Sequence, residues 1–254
     1  MRMVAAVAIA ATLSVVAVLG AAGAGAAEIK LSASNALKSM LEELAPQFEK
    51  STESKLTITF GPAAELKAAI EKGAAVDVAI LTSAATDDLV KQGKLAAGGR
   101  VDIARSVVGV AARKGAPKPD ISTTEAFKHT LIEAKSIAYG EAGATAPYLK
   151  SLFERLGIAD QIKSKIKLLP SSNPAAHAVA NGEAELGITQ ISEILPYAGA
   201  ELVGPLPSEI QLTTVFPAAV AVGTKEPEAA KALIKFLTSP AAITVLKAKG
   251  LNPG

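Results

Sequence analysis

The residues best placed to do chemistry in this 254-residue chain are small and mostly neutral, and they recur at one kind of place. Leu31 to Phe48, LSASNALKSMLEELAPQF, runs a short strand through Ser32, Ala33, Ser34 and Asn35 straight into a helix. Such a junction presents hydroxyl, amide and free backbone N–H groups, with about half a positive charge from the helix dipole. That chemistry holds an anion or a carboxylate. Ser34 or Asn35 can equally serve only as the N-cap of its helix. Repetition favours the ligand reading, because comparable junctions follow Phe60, Leu81, Tyr139, Leu169 and Thr189.

Other constellations are weaker. With no cysteine in the chain there is no thiolate chemistry and no disulfide. His129 and His177 each lack a ligand partner at metal-binding spacing, so both read as helix-flank residues. Asp87-Asp88 and Glu42-Glu43 read as solvated helix faces. The glycines between Gly140 and Gly143 lack the Lys-Ser/Thr ending of a phosphate loop and the spacing of a dinucleotide fingerprint. No G-x-S-x-G elbow is present, and the serines have no histidine signature beside them, which leaves a secreted hydrolase-like enzyme as a minor alternative.

Elements that would position these junctions alternate regularly. Glu28 to Ser32 reads as a strand, and Leu37, Leu41, Leu44 and Phe48 form the apolar stripe of the helix after it. Leu56 to Phe60 alternates as a strand and is followed by a helix from Ala63. Val76 to Leu81 is an apolar strand in which Asp77 must be paired or at an edge, and Thr86 to Gln92 a helix. Ser106 to Ala112 is a further strand. Ser122-Thr123-Thr124-Glu125 is a capping box, and strands at Ser136–Tyr139, Ile166–Leu169 and Leu186–Thr189 each lead into small polar residues. Thr213 to Gly223 is a long apolar strand containing Pro217, and helices close the chain.

Strand followed by helix, repeated, predicts an α/β fold with mainly parallel sheets. Two lobes fit best: residues 28–106 with 213–254, and residues 107–212. Long strands near Arg105–Ala112 and Thr213–Gly223 would cross between them as a hinge. A single doubly wound sheet is the alternative.

Met1-Arg2-Met3, the uncharged apolar run Val4 to Leu19 and the Gly/Ala stretch Gly20 to Ala27 make residues 1–27 a cleavable secretory signal, which predicts a periplasmic protein. A membrane anchor competes with that reading. A formal net charge of +2 argues against nucleic acid or membrane surfaces as partners. Scarce aromatics and no Trp make a sugar ligand less favoured.

Particular stretches go further: A-S-N-A-L near Ser34, the run from Phe60 to Ile80, L-F-E-R-L-G from Leu152 and E-L-G-I from Glu185. In order and spacing the chain resembles the periplasmic solute-binding proteins of ABC importers with the type II binding-protein fold, most closely the molybdate-binding branch. The resemblance implies an interlobe ligand cleft, a membrane permease as partner, a monomer, no cofactor and no catalysis. Carried over residue by residue, it makes Ser34 the hydroxyl donor and Ala63 and Ala64 backbone donors where the family has a second serine. It also places donors at Thr145 or Ala146 and near Asn173, where Pro174 has no N–H to give. Gln190 stands where some molybdate binders have a tyrosine, and it can donate and accept. Arg105 offers a guanidinium fork that matches a carboxylate, or is a solvated arginine at a strand end. Lost oxyanion donors and these replacements shift the expected ligand towards a small organic carboxylate, with a molybdate- or tungstate-type oxyanion as the alternative.

Overall fold

The computed structural model describes residues 27–143, 145–171 and 173–254; the expected signal over residues 1–27 lies outside them except for Ala27. In chain order the elements are β1 (Glu28–Ser34), α1 (Lys38–Thr52), β2 (Lys55–Gly61), α2 (Ala63–Glu71), β3 (Val78–Ile80), α3 (Ser83–Lys91) and β4 (Val101–Arg113). They continue as α4 (Thr124–Glu133), β5 (Ile137–Gly140), α5 (Thr145–Arg155), α6 (Ala159–Ile162), β6 (Ile166–Leu169), α7 (Ala175–Ala180), β7 (Leu186–Gln190) and α8 (Ile191–Ile194). The chain closes with β8 (Ala200–Pro205), β9 (Thr213–Val220), α9 (Pro227–Leu237), α10 (Pro240–Ala248) and β10 (Asn252–Pro253).

Spatially the strands run β2-β1-β3-β9-β4-β7-β5-β6, with β8 and β10 also paired to β4. Within each half β1 pairs parallel with β2 and β3, and β5 parallel with β6 and β7; β4 and β9 enter antiparallel. Strand β4 is shared. Its residues up to Val107 pair with β9, and from Val108 onwards it pairs with β7, with β8 joining from Gly109. Its length exceeds the predicted Ser106–Ala112 because the partly polar start Val101–Arg105 is also held by β9 and β10.

Pro217 sits inside β9 at the level of Asp102, beside a register shift between Asp102 and Ala104. A residue without an N–H is tolerated in a ladder at such an irregularity. Strand β3 is shorter than predicted, and Asp77 just before it is paired: its carboxylate accepts from the Lys30 N–H at 2.8 Å and the Thr224 hydroxyl at 2.6 Å. Helix α3 starts at Ser83, three residues before the expected Thr86.

Each half has its own core. Leu37 just before α1 and Leu41, Leu44 and Phe48 of α1 pack with Ile29, Leu31, Phe216 and Leu233, as the helical spacing requires. Phe127, Leu131, Leu149, Leu152 and Phe153 pack with Val110, Ile137 and Ile188 in the other half. Each such Leu or Phe contributes about 1.5–3 kcal/mol by leaving water.

Gly109 is a position where close approach excludes a side chain. A Cβ there would lie 2.8 Å from Ile191 Cγ1 and 3.0 Å from the Gly204 carbonyl oxygen, so glycine lets α8 and β8 settle against β4. A Gly109→Ala variant is expected to lose about 1–3 kcal/mol through overpacking. Urea unfolding checks this, with Gly98→Ala, where the added methyl meets nothing within 4 Å, as a near-neutral control.

Candidate functional site

Parallel strands that run directly into helices bring several helix starts to one edge, and here those edges face each other across a cleft of about 370 Å³. That size lies within the ~300–1,000 Å³ common for small-molecule sites. Ser34 and Asn35 at the end of β1, Ala63 at the start of α2, Thr82 before α3, Thr145 at the start of α5 and Gln190 at the end of β7 all line it.

Side-chain capping is missing at five starts around the cleft. Ser34, before the 3-10 turn Asn35–Leu37 that leads into α1, and Pro62, Thr82, Pro174 and Gln190 occupy N-cap positions, and none makes a side-chain cap bond. Among the described residues the caps that do are Thr123 on α4 and Ser239 on α10, away from the cleft. Backbone donors around the cleft are thus left for something else.

Unpaired polar atoms make the same point more sharply. The Ser34 and Ser39 hydroxyls and Gln190 Oε1 are buried without a hydrogen-bond partner, and all three residues line the cleft. An orphaned buried polar atom costs about 1–3 kcal/mol, so three at one cleft are groups that a bound polar molecule would satisfy. Gln190 Nε2 lies 3.1 Å from the Thr214 hydroxyl on β9 and 3.4 Å from that of Thr145. Both threonines can donate or accept, so either amide orientation satisfies that side and turns the other atom to the ligand.

Charge enters through three residues that the sequence reading did not assign to the site. Lys38 and Glu42, one helical turn apart on α1 and 3.8 Å from each other, line the cleft, which corrects the view of Glu42 as only a solvated face. Glu193 on α8 is the third. It keeps some exposed surface, yet its carboxyl is densely surrounded, and that burial pushes its pKa above the ordinary 4.5. Hydrogen bonds from the Thr189 hydroxyl and the Gln190 N–H act against the rise. Nearby Tyr197, also in the cleft wall, has its phenol pKa raised by burial, then by Glu193 and Glu42.

The bond from the Gln190 N–H makes Glu193 the N3 member of a half capping box. The other half is absent because the Gln190 side chain is engaged with Thr145 and Thr214 instead. Spacing was the available signal for Glu193: a lone acidic residue three positions after Gln190 shares its helical face.

Of the sequence-predicted residues, Ser34, Asn35, Ala63, Thr145 and Gln190 come together at the cleft, while Ser32, Ala64, Arg105, Ala146 and Asn173 do not line it. Arg105 is exposed on β4, and its neighbour Ser106 is fully buried, 3.4 Å from the Ser192 hydroxyl of the cleft wall. Strand alternation therefore turns Arg105 to the opposite face, and Lys38 is the cation at the cleft. The Ala146 N–H is spent on the Gly143 carbonyl, and Asn173 bonds Glu183 and His177.

The profile of bacterial extracellular solute-binding proteins matches residues 29–252. Aconitate isomerase of a Pseudomonas species is 34% identical over 225 residues, covering 87% of this chain and 86% of its own length. Molybdate-binding protein ModA of Azotobacter vinelandii is 29% identical over 239 residues, covering 91% and 92%. The solved periplasmic molybdate-binding protein of Azotobacter vinelandii superposes with a TM-score of 0.75 at 22% identity, over 89% of this chain and 99% of that one. Together these bear out the type II, two-lobed periplasmic-binding fold. They also overturn one expectation: absence of catalysis does not follow from the scaffold, because a relative of this similarity carries an enzyme's name.

Glu193 gives a test by pH. Its folded pKa is raised above the unfolded value, so the contribution of this group to stability is fully present below about pH 4.5 and is lost as pH rises through the folded pKa. A Glu193→Gln variant, whose amide can still accept from the Gln190 N–H, is expected to unfold at a higher temperature than the parent at pH 8. The difference should shrink towards zero at pH 4, as read by thermal melts at both pH values.

Proposed function

Because the chain belongs to the bacterial extracellular solute-binding protein family, we propose that its cleft takes a small unsaturated carboxylate and isomerises it by moving a proton, with Glu193 as the carrier. The observation that carries this reading is a buried carboxyl of raised pKa in the wall of a cleft otherwise built of unpaired neutral donors. Capture alone needs donors; a carboxylate of that kind opposes an anion unless it has work to do.

The name of the isomerase relative supplies the substrate class. In an aconitate-type tricarboxylate a methylene lies next to the carbon–carbon double bond. Glu193, ionised, takes a methylene proton, and the C–H electron pair spreads over the allylic carbons and their carboxylates. The same proton returns to the far allylic carbon, so the double bond reforms one position along, with its geometry set by how the chain of carbons is held. Atoms and charge balance without a further reactant. Helix starts at Ser34, Ala63 and Thr145 and the Lys38 ammonium would hold the carboxylates and stabilise the charge as it spreads. Export by the signal segment would make this a periplasmic activity, and the family's link to importers makes a membrane permease the proposed partner.

A second reading, capture of a molybdate-type oxyanion, is favoured by the ModA relative and by the free Ser34 hydroxyl. The cleft holds more than four oxygens around one atom need.

The test is to incubate purified mature protein with cis-aconitate and follow the trans isomer by proton NMR. Turnover that falls at least ~100-fold in Glu193→Gln is the expected result, since a positioned acid–base group is worth about 10²–10⁴. Ser34→Ala should weaken carboxylate binding by about 1.5–3 kcal/mol, measured by calorimetry. No isomerisation together with tight, stoichiometric molybdate binding would replace this reading with the second one.

A further inference from the structure

Resting on the isomerase reading above, a second role in the reaction can be assigned to a cleft residue that the sequence reading left out of the site. We infer that Thr189 is the positioning residue of the proton carrier: its hydroxyl donates to Glu193 Oε2, fixes that oxygen and favours the ionised carboxyl that a base requires.

Placement supports a dedicated function. Thr189 is the penultimate residue of β7, 8% exposed, and lines the cleft four residues before Glu193. It precedes the N-cap of α8, so its hydroxyl caps nothing; the N-cap is Gln190, whose own side chain is engaged elsewhere. Ile188 before it is fully buried in the core, and pairing of Thr189 with Gly109 of β4 fixes the backbone from which the hydroxyl reaches out. Rigid strand on one side and short helix on the other leave the carboxyl little freedom once this bond is made. Without it, Glu193 would retain one backbone donor in a densely packed wall and would stay protonated to higher pH.

Other titratable groups face the same region. Lys38 and Glu42 of α1 and Tyr197 after α8 line the cleft, and His177 of α7 stacks edge-on to Tyr197 at 5.9 Å between ring centres. None of these makes a hydrogen bond to Glu193, so Thr189 is the one side-chain donor to it among the described residues.

The experiment reads the carboxyl directly and then the reaction. Protein labelled with ¹³C at glutamate carboxyls is titrated by NMR, the Glu193 signal being identified by its loss in Glu193→Gln. Thr189→Val, which keeps the branched shape a strand prefers, is expected to raise the Glu193 midpoint by about one pH unit. Thr189→Ser should return it towards the parent value. With cis-aconitate, the acid limb of kcat/KM should move upwards by the same amount in Thr189→Val, with kcat reduced about 10-fold or more and KM changed little. An unmoved midpoint in a folded Thr189→Val protein overturns the inference. A shifted midpoint in proteins that never turn over cis-aconitate keeps the Thr189 assignment and sinks the isomerase reading, so the two failures are distinct.

Discussion

Everything in this molecule depends on the pairing of β4, because one strand is edge-to-edge with both halves. Up to Val107 it is held by β9, and from Val108 by β7 and then β8 as well, so the two sheets are joined through continuous backbone hydrogen bonds rather than through a flexible linker. Period-two alternation along that strand also decides which of its residues turn towards the cleft wall. Ser106 reaches Ser192 in the cleft wall, and Arg105, one residue away, faces out. Thr214 on β9 reaches Gln190 in the same way. The short segment from Thr189 to Glu193 is therefore tied by side chains to both crossing strands.

Electrostatically the cleft is unusual for an anion site, because its fixed charges are one ammonium and two carboxylates. Positive character has to come from helix starts whose caps are missing and from hydroxyl and amide groups without partners. Neutral donors of this kind bind an anion without locking in one charge state, and they leave a buried acid free to change its own. A receptor built purely for capture has no use for such a group, whereas the isomerase reading makes Glu193 the proton carrier.

Much of the fold was legible because hydrophobic spacing is imposed by geometry: the α1 stripe, the parallel units and the capping box at Thr123 follow from periods of 3.6 and 2. Ser34 and Gln190 were legible as cleft residues because they end strands that feed helices. Strand β8 was missed, since AELVGP has no clean alternation and none of its residues is fully buried. Arg105 was misassigned because its distance along the chain from the cleft said nothing about which face of β4 it occupies. Glu193 escaped because four residues of helix give no period to read, and because burial, which is what raises its pKa, is a property of packing and not of residue type.

The half capping box at Glu193 has a genetic consequence. Glutamine at this position can accept from the Gln190 N–H and donate to the Thr189 hydroxyl, so the local fold does not demand an acid there. Glutamate and glutamine codons differ by a single base. On the isomerase reading, a proton carrier and a holder of anions would then stand one point mutation apart on the same scaffold.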